Sequence, residues 1–253
     1  MPPPLALPRN QSRAKVLHEL RCLLPRLEGF PTEARALSFG LPALDSHLPH
    51  GGLAFGALHE VAPAADGDMS VAFGFIAALL GRMPRGGPLL LVMSARELAQ
   101  YGCPHGHGLN GLGLDPARMI LVETADEKQT LWALEEALRS AVPAVVVGAI
   151  ERLDLKTSQR LHLAAGNSGL PLVLLRPART MEASAAATRW CVGVAEAVRD
   201  RFGLMAHRRW HLKLERCRNG RPGEWLVEFD HAAHRFSLAA ALADPALSFR
   251  ASA

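Results

Sequence analysis

The chain has 253 residues, of which 49% are hydrophobic and 21% charged, and it carries a formal net charge of +4. That length and apolar content suffice for a packed core in one large domain or two small ones, and they exclude a wholly disordered chain. No run approaches the ~18 apolar residues of a spanning helix, the Pro-broken N-terminal run has its charge on the wrong side for a secretory signal, and the cysteines at 22, 103, 191 and 217 lack CxxC spacing, so a reducing, cytoplasmic setting with no membrane contact is expected.

Residues 1–9 are Pro-rich and read as a mobile terminus. From 12 to 27 the apolar positions Val16, Leu20, Leu23, Leu24 and Leu27 recur at three- and four-residue steps behind the N-cap candidate Ser12, which predicts an amphipathic helix ended by Gly29 and Pro31. Its stripe must be covered by the following domain or by another protein, so these five residues are a candidate partner face. Runs at 58–62, 88–93, 118–122, 144–150 and 170–175, of which 88–93 and 144–150 are continuously apolar, read as strands, separated by helices at 70–80, 126–140 and 156–165. Strands without alternation between helices predict a parallel α/β sheet covered on both faces. Beyond 177 the pattern changes: 181–188 is small and polar and reads as a mobile loop. Strands at 189–195, 209–216 and 224–229, the last two joined across Asn219-Gly220, predict antiparallel strands at the C-terminal edge. The expected organisation is one domain over 36–236, preceded by a terminus and helix at 1–35 and followed by a tail at 237–253.

Ligands of such sheets bind beyond the C-terminal ends of the strands. The segment before the first strand places Gly40, Leu44-Asp45, Gly51-Gly52-Leu53 and Gly56 ahead of Glu60-Val61. This arrangement resembles the RecA-type ATPases, which implies a RecA-like P-loop core. A working phosphate loop reads GxxxxGK[ST]: backbone amides wrap the phosphates, Lys neutralises them and the hydroxyl holds Mg²⁺. Aligned without gaps, those four stations fall on Ala62, Gly67, Asp68 and Met69, so only one glycine survives. Asp in place of Lys changes two charge units beside a triphosphate, and each unit pair is worth roughly 1–4 kcal/mol. Met69 is no ligand for a hard cation. The water-activating carboxylate is replaced by Ala95, with Glu97 two residues on, and the Mg²⁺-positioning Asp by Gly148, with Glu151 three residues late. The expectation is a degenerate nucleotide site with no catalytic residues, no bound cofactor and no hydrolysis.

The pieces GLDPARMILVETADEKQTLWALEEALRS, VVVGAIERLDLKTSQRLHLAA and LKLERCRNGRPGEWLVEFD, within a similarity over roughly 12–235, resemble the ImuA family of bacterial RecA-like proteins. The resemblance implies an accessory role in SOS-induced mutagenic translesion DNA synthesis, through protein contacts with ImuB, RecA or an error-prone polymerase. It also implies kinship with SulA, so a division inhibitor, or a divergent ATP- and DNA-binding RecA paralogue, stands as an alternative.

Other features carry less. Residues 176–221 hold eleven basic side chains against four acids, among them Arg189, Arg208, Arg209 and Arg218 as candidate contacts to DNA or an acidic partner. Trp190, Trp210 and Trp225 interleave with these arginines, as in single-strand binders, although core packing is the commoner use of Trp on strands. Direct DNA binding is therefore expected to be weak. Cys103, His105 and His107 are crowded for a tetrahedral metal and read as part of a Gly-rich loop, so no metal is expected. Ser94 and Ser184 have no adjacent His to make them nucleophiles.

Overall fold

A computed structural model describes residues 35–239 apart from positions 85, 180, 181, 200 and 204. The helix expected at 12–27, with Val16, Leu20, Leu23, Leu24 and Leu27, lies outside the described residues.

The described chain opens with a two-stranded ribbon, β1 (Ala36–Leu37) against β2 (Leu53–Ala54), enclosing the one-turn helix α1 (Pro42–Asp45). Asp45 explains the Leu-Asp pair of the sequence. Its carboxylate accepts from Ser38 Oγ at 2.7 Å, Phe39 N at 2.9 Å and Leu41 N at 3.1 Å, fixing the turn that inserts Phe39 and Leu44 into the core.

The body follows as β3 (Leu58–Pro63), α2 (Met69–Leu80), β4 (Leu89–Ser94), α3 (Ala95–Tyr101), α4 (Gly106–Gly111), β5 (Met119–Thr124), α5 (Glu127–Ser140), β6 (Val145–Ala149), α6 (Leu155–Ser168), β7 (Leu172–Leu175), β8 (Thr188–Arg199), β9 (Met205–Cys217), β10 (Gly223–Asp230) and β11 (Arg235–Leu238). One sheet takes β3 to β11 in the order β11-β10-β9-β8-β3-β7-β6-β4-β5. Pairs from β8 to β5 are parallel, and those from β8 to β11 antiparallel. The strand run β7-β6-β4 is buried on both faces because α5 and α6 cover one side and α2 the other.

Three of the helices begin where a side chain satisfies a free amide of the first turn. Ser94 and Glu97 form a reciprocal capping box on α3, Asp126 accepts from Gln129 N at 2.8 Å on α5, and Asp154 accepts from Thr157 N at 2.6 Å on α6. The Ser94 box turns the mixed stretch at 95–100 into a helix, and the Gly-rich stretch after Cys103 forms the short α4. β11 reaches Leu238, so ordered strand runs past position 237, where the tail was expected to start.

One expectation is overturned. The stretch read as a mobile loop at 181–188 is buried from Ser184 to Thr188. Its small side chains let it lie flat under α6: Ala185 N donates to Ser158 Oγ at 3.0 Å, Ala187 N to Leu58 O at 2.7 Å, and Arg216 Nη2 to the carbonyls of Ser184 and Ala186 at 2.6 and 2.8 Å.

The antiparallel extension wraps an aromatic cluster onto α2. Phe39 lies 5.2 Å from Trp190 and 6.0 Å from Phe75, and Trp210 packs on Phe75, Phe229 and Phe236. Trp190 and Trp210 are buried, and Trp225 stacks edge-on against His47 at 4.9 Å. The tryptophans are core and edge packing, not an exposed stacking platform.

Candidate functional site

The loop between β3 and α2 occupies the place of a phosphate loop. Two of its amides are used within the chain: Ala64 N donates to Val192 O at 2.8 Å, and Asp68 N to Ala65 O at 3.2 Å. Gly67 keeps the turn open with φ at 90°, a conformation side chains resist. Asp66 is exposed and Asp68 half-buried at the start of α2, so two acidic residues stand in the loop where a phosphate would be gripped. Met69 is buried and forms a wall of the site.

Beyond the ends of β4, β6 and β7 a crevice of about 320 Å³ opens. Its charged lining is Glu97, Asp126, Glu127 and Glu151 against a single guanidinium, Arg96. Glu97 caps α3, its Oε2 accepting from Ser94 N at 2.8 Å, and Glu127 Oε1 accepts from Arg152 N at 2.8 Å. Glu151 pairs with Arg96 at 2.9 Å, both side chains half-exposed or more. Burial, opposed by the Ser94 bonds and helped by Glu127 and Glu151, raises the Glu97 carboxyl above its ordinary range. A strongly anionic ligand entering here meets carboxylates where a nucleotide site offers donors.

Gly148 stands where the Mg²⁺-positioning Asp was sought. A Cβ there would lie 2.8 Å from both Leu134 methyl carbons, and Leu134 is fully buried. The helix α5 has settled onto the strand at this point, so the position has lost the space for a side chain. Gly148→Asp is expected to destabilise the fold by about 1–3 kcal/mol through overpacking and buried charge, read as a lower urea midpoint at unchanged slope.

The four arginines singled out in sequence divide. Arg189 Nε donates to Glu60 Oε2 at 2.8 Å and its Nη2 to Glu182 O at 2.7 Å, with 15% of the side chain exposed. Arg209 Nε donates to Glu228 Oε1 at 2.7 Å across the β9–β10 pair. Both are engaged inside the sheet. Arg208 is exposed and Arg218 half-buried. His105 and His107 sit with ring centroids 5.4 Å apart. Among the described residues no group of three His, Cys, Asp or Glu is placed to hold a metal. No helix among them is long and apolar enough to cross a membrane.

Sequence reasoning missed a buried polar layer beside the site. Glu60 and Arg176 are each 1% exposed. Arg176 donates to Ile150 O at 2.9 Å and to Glu182 Oε2 at 2.6 Å, while Glu60 Oε1 and Arg176 Nε face each other at 3.9 Å without a hydrogen bond. The signal was a charged residue inside the apolar run at 58–62 and another directly after 170–175.

The sheet order, the β3–loop–α2 turn and the antiparallel extension define a RecA-like α/β protein. A solved structure, the crystal structure of the RadB recombinase, matches with a TM-score of 0.55 over 81% of this chain and 100% of that chain, at 18% identity, which supports the fold alone. The chain is 36% identical over 235 residues to Protein ImuA of Caulobacter vibrioides, in strain NA1000 / CB15N and equally in strain ATCC 19089 / CIP 103742 / CB 15, covering 85% of this chain and 93% of each relative. No protein-family model matches the sequence. The chain belongs to the ImuA family.

Proposed function

We propose that the chain is a non-catalytic RecA-like accessory protein of SOS-induced mutagenic translesion synthesis, acting through protein contacts with ImuB, RecA or an error-prone polymerase. The observation that carries this reading is the replacement of a phosphate grip by carboxylates: Asp66 and Asp68 on the loop, and Glu97, Asp126, Glu127 and Glu151 around the crevice. Family membership supplies the biological setting, and the internal pairing of Arg189 and Arg209 weighs against a reading built on direct DNA binding.

Two measurements test it. A ligand at a hundredfold excess over its Kd stabilises a fold by about 2.7 kcal/mol, so millimolar Mg·ATP should leave the melting temperature unmoved, and no phosphate should be released. A rise in melting temperature with turnover would replace the adaptor with a divergent ATPase. Tagged protein from damage-treated cells is expected to retain ImuB, RecA or a polymerase. Recovery of none of them would remove the proposed role.

A further inference from the structure

The acidic crevice does not end at Tyr101. On the other side of Met69, Tyr101 and Leu175, which line both spaces, lies a second groove of about 230 Å³ between α2, α3 and α4. Its walls are mostly apolar, with Phe73, Met93, Leu109 and Leu112 beside the shared Met69, and His105 and Arg208 also line it. A space of that size lies below the ~300–1,000 Å³ usual for small-molecule sites and suits one or two anchoring side chains. Methionine walls accommodate more than one apolar shape.

We propose that this groove, together with its acidic end, is a docking site for an extended segment of a partner protein that carries a lysine or arginine beside a short apolar run. The assignment rests on the adaptor reading above, in which no nucleotide competes for the crevice. Charge complementarity selects the occupant. The carboxylates at one end are bonded mainly to backbone amides of their own chain, which satisfies their geometry and leaves their charge. Arg96–Glu151 is a solvent-exposed pair of the kind worth about 0–1 kcal/mol, so an incoming cation can take Glu151 over at little cost. An acidic or uncharged segment gains nothing at that end, and a basic segment without apolar neighbours leaves the Phe73–Leu109 walls uncovered.

The test uses the full-length chain as bait for a random peptide library displayed on phage. Enriched peptides are expected to place Lys or Arg next to Leu, Met or Phe. Their synthetic versions, followed by fluorescence anisotropy, should bind Glu151→Lys about tenfold more weakly, bind Tyr101→Ala more weakly, and weaken as salt is raised. Both substituted residues are surface residues, and thermal melts matching the parent chain confirm that the variants are folded. No enrichment, enrichment without the basic–apolar pairing, or binding indifferent to both substitutions overturns the proposal. If display fails while Glu151→Lys still captures the mutagenesis partners from cells at parent levels, the groove is excluded and the adaptor reading stands. If the parent chain also captures none, the adaptor reading itself has failed.

Discussion

Glu60→Ala is expected to cost about 3–5 kcal/mol, a fall in melting temperature on the order of 10 °C for a domain of this size. Glu60 is the one carboxylate that faces both Arg176 and Arg189 from inside the sheet. Truncating it leaves Arg176, 1% exposed, with Glu182 as its remaining anion and with Ile150 O as a neutral acceptor. The cost is the desolvated cation left behind and not the strength of the lost bonds. Two comparisons separate these causes. Glu182→Ala removes a half-exposed partner of the same arginine but keeps Glu60, so it should cost about 1 kcal/mol. Glu60→Leu with Arg176→Met removes the buried carboxylate together with its fully buried counter-charge, leaving only the partly solvated Arg189, and should recover a large part of the loss. If the double variant is as unstable as Glu60→Ala, the damage is one of packing and the electrostatic account is wrong.

The same layer shows why the sequence was more informative about the sheet than about its charges. Strands at 88–93 and 144–150 announce themselves because a strand buried on both faces is apolar almost throughout. The degenerate phosphate loop was equally legible, since its chemistry depends on four residue types at fixed spacing, and the structure places Asp68 and Met69 at the start of α2 as the alignment requires. Charge counting over 176–221 treated arginines as a surface property. Arg189 finds Glu60 at a sequence separation of 129 residues, and nothing local marks that pairing. The misreading of 181–188 has a related cause. Small and polar residues describe a loop when nothing covers them, and the same residues describe a buried strap when Ser158 and Arg216, distant in sequence, supply its hydrogen bonds. The apolar groove was invisible for the opposite reason: Phe73, Met93 and Leu109 belong to three elements, each with a normal apolar face.

The crevice and the buried layer are linked through β7. Leu175 and Pro177 line the crevice, and Arg176 between them points the other way, into Glu60 and Glu182. The Arg176 cation is thereby directed into the sheet, and Arg96 is the cation among the residues lining the crevice with Glu151 and Glu127.

Stability is expected to be flat between about pH 7 and 8 and to fall steeply between pH 6.5 and about 4. Two buried histidines set this window. His59 is closed into a chain in which Trp190 Nε1 donates to Thr188 Oγ1 at 2.9 Å, the Thr188 hydroxyl donates to His59 Nδ1 at 2.8 Å, and His59 Nε2–H donates to Ala54 O at 2.9 Å. Every proton is placed with the ring neutral, and a further one on Nδ1 would strand the hydroxyl. Burial above all, with a contribution from His162, lowers His59 from 6.5 to about 4 even though the Ala54 bond acts the other way. His162 accepts from Leu58 N at 3.3 Å through Nδ1, and burial with the nearby Arg218 charge takes it also to about 4. The sign follows from proton uptake. Above pH 7 both rings are neutral whether the chain is folded or not. Below 6.5 the unfolded chain binds protons that the fold refuses, so unfolding gains roughly 1.4 kcal/mol per pH unit per histidine, ~3 kcal/mol by pH 4 for His59 and less for the partly solvated His162. Asp154 and Asp230, held below the usual carboxylate range by backbone amides, add their loss only at lower pH. Urea midpoints taken every half unit from pH 7.5 to 4.5 should trace this slope. In His162→Gln, whose side-chain oxygen can still accept from Leu58 N, the slope should shrink toward that of His59 alone, and a slope equal to that of the parent chain would remove His162 from the account.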